Sequence, residues 1–330
     1  MTKQTVKNFA LALGLLGLAL IPSTGLAQVR LASNLPGKNP KSAATQAVGH
    51  QTQMPGAPTF TWGLIDFPRS NTTTATGIDN QGRIVGGYDD GDVENYVPGN
   101  NAFQLKGKAF SSFDFPGAVQ TVAFGSNKSG EIIGAFVDSS GAYHGFTLVD
   151  KTYTQFDCPA GGTVPYAIND SGEIVGWCGG SATGFLLSGG VYTTIAVPGA
   201  NFTWAEGINN AGVIVGWYYV DGSAGYQGFV DDGGSFTTIN YPGYPNTYLA
   251  GINDSGLIVG GYGTPVTIGS VDYNWPHGFV YSAGTFTSFD APFGAVEVTD
   301  PLAVNNKGEV VGGYVDSAGM NYGFYLKVTK

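Results

Sequence analysis

The feature that most constrains this chain is a motif that recurs six times, clearest from Ala250 to Tyr262 as Ala-Gly-Ile-Asn-Asp-Ser-Gly-Leu-Ile-Val-Gly-Gly-Tyr. The other copies run from Thr76 to Tyr88, Phe124 to Phe136, Ala167 to Cys178, Glu206 to Tyr218 and Leu302 to Tyr314. In each copy an Asn or Asp, such as Asn253 or Asp79, suits the first position of a type I turn. A Gly three residues later supplies the left-handed residue that closes a hairpin. The run after the turn, Ile258-Val259 or Ile132-Ile133, is β-branched and too short for a helix, so it reads as a strand.

Between these hairpins lies a second pair of runs. One carries a small residue followed by Phe: Ala102-Phe103, Gly145-Phe146, Gly184-Phe185, Gly228-Phe229, Gly278-Phe279 and Gly323-Phe324. The next ends at Pro, as in Phe110 to Pro116 or Phe236 to Pro242. Each repeat thus offers four short strands, and a period of roughly 40–50 residues with four strands describes a propeller blade. The last repeat stops after Leu326 without its Pro-ended strand, and the missing strand stands at the front of the chain, from Phe60 to Pro68. Pairing it with the final repeat would close the ring and leave no unpaired half-blade. The expected fold is therefore all-β: a six-bladed β-propeller of four-stranded blades, closed by an N-terminal strand in the C-terminal blade.

The Gly-Ile-Asn-x-x-Gly-x-Ile-Val-Gly hairpins and the His-Gly-Phe triplets at His144–Phe146 and His277–Phe279 resemble the HAF family of extracellular repeat proteins. The resemblance spans about residues 58–330, with two motifs alternating in fixed order. It implies an exported β-repeat protein and carries no assigned catalytic residues.

Three segments follow. Residues 1–27 read as a signal peptide: Lys3 and Lys7, an apolar run from Phe9 to Ile21, the helix breaker Pro22, then Gly25-Leu26-Ala27 before Gln28. That run is shorter than the ~20 residues of a membrane span. Residues 28–57 lack periodicity and read as a disordered leader. Residues 58–330 form the propeller, which is expected outside the cytoplasm: secreted, periplasmic or on the cell surface. A net charge of −10 with no basic cluster argues against nucleic acid and anionic membranes as partners. A monomer is expected.

Cys158 and Cys178 are the only cysteines. They fall at the end of one blade and on the second strand of the next, pointing to the same face, and export permits a disulfide between them. Two buried thiols are the alternative, and a zinc site finds no partners at ligand spacing.

Residues that obey the repeat are explained by packing, so those that break it are the candidates for function. Asn169, Asn209, Asn253 and Asn305 obey it and read as turn formers. Trp177 and Trp217 break it, because the other copies carry Gly or Ala there, and Trp204 lies between the same blades. These three tryptophans would suit an apolar platform for sugar or aromatic ligands; filling a gap left by a short repeat is the simpler role. The insertion Asp89-Asp90-Gly91-Asp92-Val93-Glu94 brings Asp89, Asp90, Asp92 and Glu94 together. Such carboxylates suit a hard cation such as calcium, although the spacing is not that of a known calcium loop and a solvated acidic turn explains it equally. No other cofactor is expected. Asp138, Asp221 and Asp316 occupy related loops and read as turns, or as a ring of carboxylates. His144 and His277 share one repeat position, where the other copies are read as Ala102, Thr183, Gln227 and Tyr322. If both pointed inward they would suit a metal or acid–base pair; duplication of the repeat accounts for them more simply. No hydrolase elbow, His-Glu-x-x-His pair or phosphate loop is present.

Two functions compete. One is a binding or scaffolding module for a glycan, a peptide or a surface protein. The alternative is an extracellular carbohydrate- or ester-active enzyme with its site on one propeller face or at the axial channel. A purely structural envelope role is a third.

Overall fold

A computed structural model describes residues 58–89, 100–179, 182–269 and 271–329. The signal segment, the leader and residues Asp90, Asp92 and Glu94 lie outside these. The chain opens with β1 (Thr59–Ile65) and then lays down blades in order. The first blade is β2 (Thr72–Ile78), β3 (Ile84–Asp89), β4 (Asn101–Lys106) and β5 (Ala109–Phe113). The second is β6 (Gln120–Ser126), β7 (Ile132–Val137), β8 (Tyr143–Val149) and β9 (Thr152–Phe156). The third is β10 (Thr163–Ile168), β11 (Ile174–Cys178), β12 (Thr183–Ser188) and β13 (Val191–Ile195). The fourth is β14 (Phe202–Ile208), β15 (Ile214–Tyr219), β16 (Gln227–Asp232) and β17 (Ser235–Ile239). In the fifth, a small hairpin of β20 (Val266–Ile268) and β21 (Val271–Tyr273) is inserted between β19 (Ile258–Gly263) and β22 (His277–Ser282); β18 (Asn246–Ile252) and β23 (Thr285–Phe289) flank them. The sixth is β24 (Val296–Val304), β25 (Glu309–Asp316) and β26 (Asn321–Thr329), completed by β1.

All six sheets are antiparallel and four-stranded, and β1 pairs with β26 from Thr59↔Thr329 to Ile65↔Gly323. The chain is a six-bladed propeller whose last blade is closed by its first strand. The first strand of each blade surrounds the axis and is buried along its length, as in β2, β6 and β18. The fourth strands form the rim, where β5 and β9 alternate exposed and half-buried residues.

Local chemistry accounts for each hairpin. The Asn253 N–H donates to the Leu257 carbonyl at 3.0 Å, and the Gly256 N–H donates to the Asn253 carbonyl at 3.0 Å with Gly256 at φ 78°. The Asn253 Oδ1 accepts the N–H groups of Ser255 and Leu257 at 3.1 and 3.0 Å. The asparagines also do more than form turns. The Nδ2 of Asn169 donates to the Asn209 carbonyl, Asn209 to Asn253, Asn253 to Asn305, and Asn305 to the Asp79 carbonyl at 2.9 Å. Four blade-to-blade joints are thereby clasped by the residue that makes each turn. A further latch repeats in all six blades: a Thr hydroxyl near the start of each inner strand accepts the N–H of the residue before the linking Pro. The pairs are Phe67–Thr73, Phe115–Thr121, Cys158–Thr163, Val197–Thr203, Tyr241–Thr247 and Ala291–Thr299.

The Phe of each small-Phe pair is buried, with Phe103, Phe146, Phe229, Phe279 and Phe324 fully so. Its ring covers the Gly of the neighbouring Val-Gly arm: a Cβ at Gly216 would meet the Phe229 ring at 2.9 Å and overlap the Trp204 carbonyl. The small residue before Phe lets the next blade approach, since a Cβ at Gly228 would meet the Leu249 side chain at 2.9 Å. Gly216→Ala is therefore expected to cost about 2 kcal/mol by overpacking, read as a lower urea midpoint with an unchanged slope.

Cys158 and Cys178 are joined in a buried disulfide that links the second blade to the third. Its place in the repeat explains it. At three other blade joints the residue before Pro stacks face to face on a ring near the end of the second strand: Phe67 on Tyr88 at 3.7 Å, Phe115 on Phe136 at 3.8 Å and Tyr241 on Tyr262 at 3.5 Å. The cystine replaces such a pair. Removing it as Cys158→Ala with Cys178→Ala is expected to cost about 3 kcal/mol, given the sequence separation of 20 residues. Cys158→Phe with Cys178→Tyr should recover part of that loss by restoring the stack, with chemical denaturation as the readout.

Candidate functional site

Each inner strand contains a bulge at the same point, shown by register shifts at Ala75/Gly77, Ala123/Gly125, Pro165/Ala167, Ala205/Gly207, Leu249/Gly251 and Pro301/Ala303. A bulge leaves one residue unpaired and re-aims its side chain. The six bulge residues are Thr76, Phe124, Tyr166, Glu206, Ala250 and Leu302, and all line the axial channel. The third motif copy consequently begins structurally at Tyr166, one residue before Ala167. Five of the six are apolar, aromatic or hydroxylated, and one is an acid.

Glu206 is buried and accepts a hydrogen bond from the Trp217 indole Nε1–H at 2.9 Å. Burial pushes its carboxyl up to about 8, against a small opposing effect of that hydrogen bond. Asp300, on the inner strand of the sixth blade, is also buried and accepts the hydroxyl proton of Tyr248 from the fifth. Burial raises its pKa well above the carboxylate range, and the charge of Glu206 raises it further. Tyr166 is raised by burial and then by the same Glu206 charge, so Glu206 acts on both groups.

An arc of rings encloses these acids on the side of the third to fifth blades. Trp177 packs on Trp204 at 5.3 Å, Trp204 on Trp217 at 4.7 Å, Trp217 on Trp275 at 5.8 Å and Trp275 on Tyr248 at 4.7 Å. Trp275 follows the inserted hairpin of the fifth blade. It fills the space over Gly261, where a Cβ would meet the Trp275 Cβ at 2.9 Å. Three adjacent blades thus each supply a tryptophan at one level, two from the second strand and one from an insertion. Across the axis the matching positions are Gly87 and Gly313, and the wall there is polar: Asn321 Nδ2 donates to Thr74 Oγ1 at 2.9 Å beside Gly313, which pairs with Asp300.

Trp177, Trp204 and Trp217 lie together, but they form no exposed platform. All three are buried, Trp217 to 2% exposure, because neighbouring blades and Trp275 cover them. The solvent end of the same aromatic tract lies further out. Trp217 meets Tyr226 at 5.1 Å, Tyr226 meets Tyr219 at 5.6 Å and Tyr219 meets Phe202 at 6.4 Å. Phe202 is 37% exposed, and the two tyrosines are half-buried.

His144 and His277 sit on the third strands of the second and fifth blades, away from the axis, and do not meet. His144 Nδ1 lies 2.8 Å from Asp157 and its Nε2 lies 3.4 Å from Asp138; His277 Nδ1 lies 3.0 Å from Asp290. Pairing corrects one member of this repeat position: Asn101, not Ala102, lies opposite Tyr88 as His144 lies opposite Phe136. Asp138 and Asp316 cap their own loops through the N–H groups two and four residues on, and Asp221 pairs with Asn201. The Ser140 hydroxyl and these N–H groups hold the Asp138 carboxyl below the usual range. Asp89 is buried at the end of β3. Among the described residues no group of three or more His, Cys, Asp or Glu is arranged to hold a metal, and no helix is long and apolar enough to cross a membrane.

No family model and no curated protein matches the chain. Solved structures do. A lectin from Aleuria aurantia in complex with Fucα1-6GlcNAc matches at 10% identity and TM-score 0.50, over 79% of this chain and 95% of that one. A streptogramin B lyase matches at 12% identity and TM-score 0.49, over 82% and 98%. TolB from Acinetobacter baumannii matches at 12% identity and TM-score 0.48, over 75% and 65%. At these identities the likeness is one of fold.

Proposed function

We propose that this protein is an exported binding module whose ligand lies on the face opposite the asparagine hairpins. The observation that carries the reading is the aromatic tract running inward from Phe202 through Tyr219 and Tyr226 to the buried tryptophans. Rings that are part exposed and held from beneath by packed rings make a rigid stacking surface at small entropic cost. Sugar rings are the natural occupants, because their apolar faces stack on such a surface while their hydroxyls stay wet. Trp177, Trp204 and Trp217 serve as the floor beneath it rather than as the contact itself. The carbohydrate complex of the Aleuria aurantia lectin supports only that a propeller of this kind can present a sugar site.

A glycan array followed by titration tests the reading, with tryptophan fluorescence reporting through the contact between Trp217 and Tyr226. Tyr219→Ala with Tyr226→Ala is expected to weaken binding at least about tenfold. A folded protein that binds no glycan, or a double variant with unchanged affinity, would sink it.

A second reading, an extracellular hydrolase at the axis, is favoured by the two carboxyl groups there. Glycoside hydrolysis needs one carboxyl protonated and the other ionised. Burial raises both carboxyls, Glu206 to about 8 and Asp300 well above its ordinary value, which works against an ionised nucleophile or base, so binding is the better reading.

A further inference from the structure

We propose that the glycan taken by the outer stacking surface is a polymer carrying free amino groups, of the class of a glucosamine chain, and that the Asp221 carboxylate receives one of its ammonium groups beside Phe202 and Tyr219. The inference rests on the stacking surface proposed above and adds to it the charge of the ligand and the residue that reads that charge.

Phe202 and Tyr219 face each other at the outer end of the β14–β15 ladder, and two polar residues extend that ladder by one step. The Asp221 N–H donates to Asn201 Oδ1 at 2.8 Å, the Asn201 Nδ2 donates to Asp221 Oδ2 at 3.0 Å, and the Asn201 N–H donates to the Tyr219 carbonyl at 2.8 Å. Both side chains are exposed. Among the described residues nothing donates to the other carboxylate oxygen of Asp221. The loop that carries it is held at its far end as well, where the Tyr226 N–H donates to Asn246 Oδ1 of the next blade at 3.0 Å. A carboxylate fixed at the edge of a stacking surface, with an amide beside it, offers an ammonium group a charge-assisted hydrogen bond while the sugar ring lies on the aromatic face.

The charge of the whole face favours the same ligand. The connections between blades carry Asp66, Asp114, Asp157 and Asp290, and the loops after the second strands carry Asp138 and Asp221, all on the face of the aromatic tract. Among the described residues the only Lys or Arg on this face is Arg69, between β1 and β2 at the joint of the sixth and first blades. The others stand in or beside the hairpins of the opposite face, as Lys128 and Lys151 do. The two histidines of the face already lie against carboxylates. All 24 acids of the chain fall within residues 58–330, whereas residues 1–57 hold Lys and Arg but no acid, so the ring is more acidic than the net charge of −10 conveys. Such a face draws cationic chains and repels uronic or sulfated ones. One joint further round, Tyr244 is 43% exposed and packs edge-on against Tyr262 at 4.9 Å, so a polymer finds a second ring that a single sugar would not reach.

The test is calorimetric titration of the folded, full-length chain at pH 6 with three hexasaccharides: β-1,4-linked glucosamine, its N-acetylated counterpart and galacturonate. The first two share ring and linkage and differ in the charge on each nitrogen. The glucosamine hexamer is expected to bind at least about tenfold more tightly than the acetylated one, and the galacturonate hexamer not measurably. Asp221→Asn keeps an acceptor for Asn201 and should cut the glucosamine affinity about fivefold, with the acetylated hexamer unaffected. Asp114→Asn, at another joint of the same face, should change it less than about twofold because salt screens distant charges. Each variant's thermal midpoint establishes that it is folded. Equal binding of the two glucosamine-type hexamers, or an Asp221→Asn protein that keeps the full preference, overturns the charge assignment and leaves the stacking surface standing. Glucosamine binding that survives Tyr219→Ala with Tyr226→Ala would be attraction to the acidic face without a seat on the rings, and overturns the proposal. Binding of none of the three overturns it too, and the glycan array decides separately whether the stacking surface takes sugar at all.

Discussion

A chain that begins at Ser70 is expected not to fold into a stable ring, whereas one that begins at Pro58 should melt cooperatively. The twelve residues that differ, 58–69, supply the outer strand of the sixth blade and reach across to the first. β1 covers the open edge of β26 along its full length, from Thr59↔Thr329 to Ile65↔Gly323. Trp62 packs edge-on against Phe289 at 5.6 Å and Phe293 at 6.0 Å, and lies tilted against Phe324 at 5.3 Å. Phe67 then stacks on Tyr88 at 3.7 Å and touches Phe103 and Phe110, all in the first blade. Removing the segment loses a ladder, several aromatic contacts and one Thr latch together, and leaves a flat, unpaired edge that invites association. The loss should exceed about 5 kcal/mol, comparable to the whole stability of many domains. Circular dichroism melts and size-exclusion chromatography would show it as loss of cooperativity and aggregation. A synthetic peptide covering Pro58 to Pro68, added to the shortened chain, should restore the transition. A shortened chain that melts like the intact one would show that the Asn305 clasp to Asp79 closes the ring unaided.

That strand was legible in the sequence because it is a matter of counting: six hairpin motifs, six small-Phe strands, and Pro-ended strands of which one stood at the wrong end. The hairpins were legible because their turns are fixed by three local residues. The disulfide positions followed from the same alignment, and the structure adds the reason, a stacked ring pair in the equivalent place of other blades. The site was less legible. Trp177 and Trp217 stood out as breaks in the repeat, but whether a ring on a second strand faces solvent depends on what the next blade brings over it. Trp275 arrives from an insertion with no counterpart in the other repeats. Glu206 carried a usable signal: it is the one acid at a position that elsewhere holds Thr76, Phe124, Tyr166, Ala250 and Leu302. Its significance required the bulge that turns it to the axis, and a bulge cannot be seen without strand register. Asp300 lies outside the motif and is paired to Tyr248 of the preceding blade, so nothing local marks it.

Glu206→Gln is expected to make the protein more stable at alkaline pH and nearly neutral in effect at acid pH. In the unfolded chain the carboxyl loses its proton near the ordinary value of 4.5, whereas in the folded well it keeps the proton until about 8. Between those values unfolding releases a proton, so rising pH favours the unfolded state. The protonated acid's stability is fully present below pH 4.5, declines through the window, and stays at its lowest above pH 8. The spread corresponds to about 5 kcal/mol at about 1.4 kcal/mol per pKa unit. Gln cannot ionise, so the variant escapes that decline while keeping a donor–acceptor group of the same size against Trp217. Urea denaturation of both proteins at pH 4, 6, 8 and 9 reads the difference directly. The two curves should meet near pH 4 and diverge upward, the variant lying about 5 kcal/mol above the parent at pH 9. Asp300 titrates in the same direction and is itself raised by the Glu206 charge, so the parent-minus-variant difference reports Glu206 together with its coupling to Asp300. A difference that is flat with pH would mean that Glu206 is solvated through the channel; a variant less stable than the parent at pH 9 would mean that the folded chain stabilises the ionised carboxylate. The first outcome would remove the physical basis for a desolvated acid at the axis. The second would show that groups of the folded ring hold the carboxylate in its charged form.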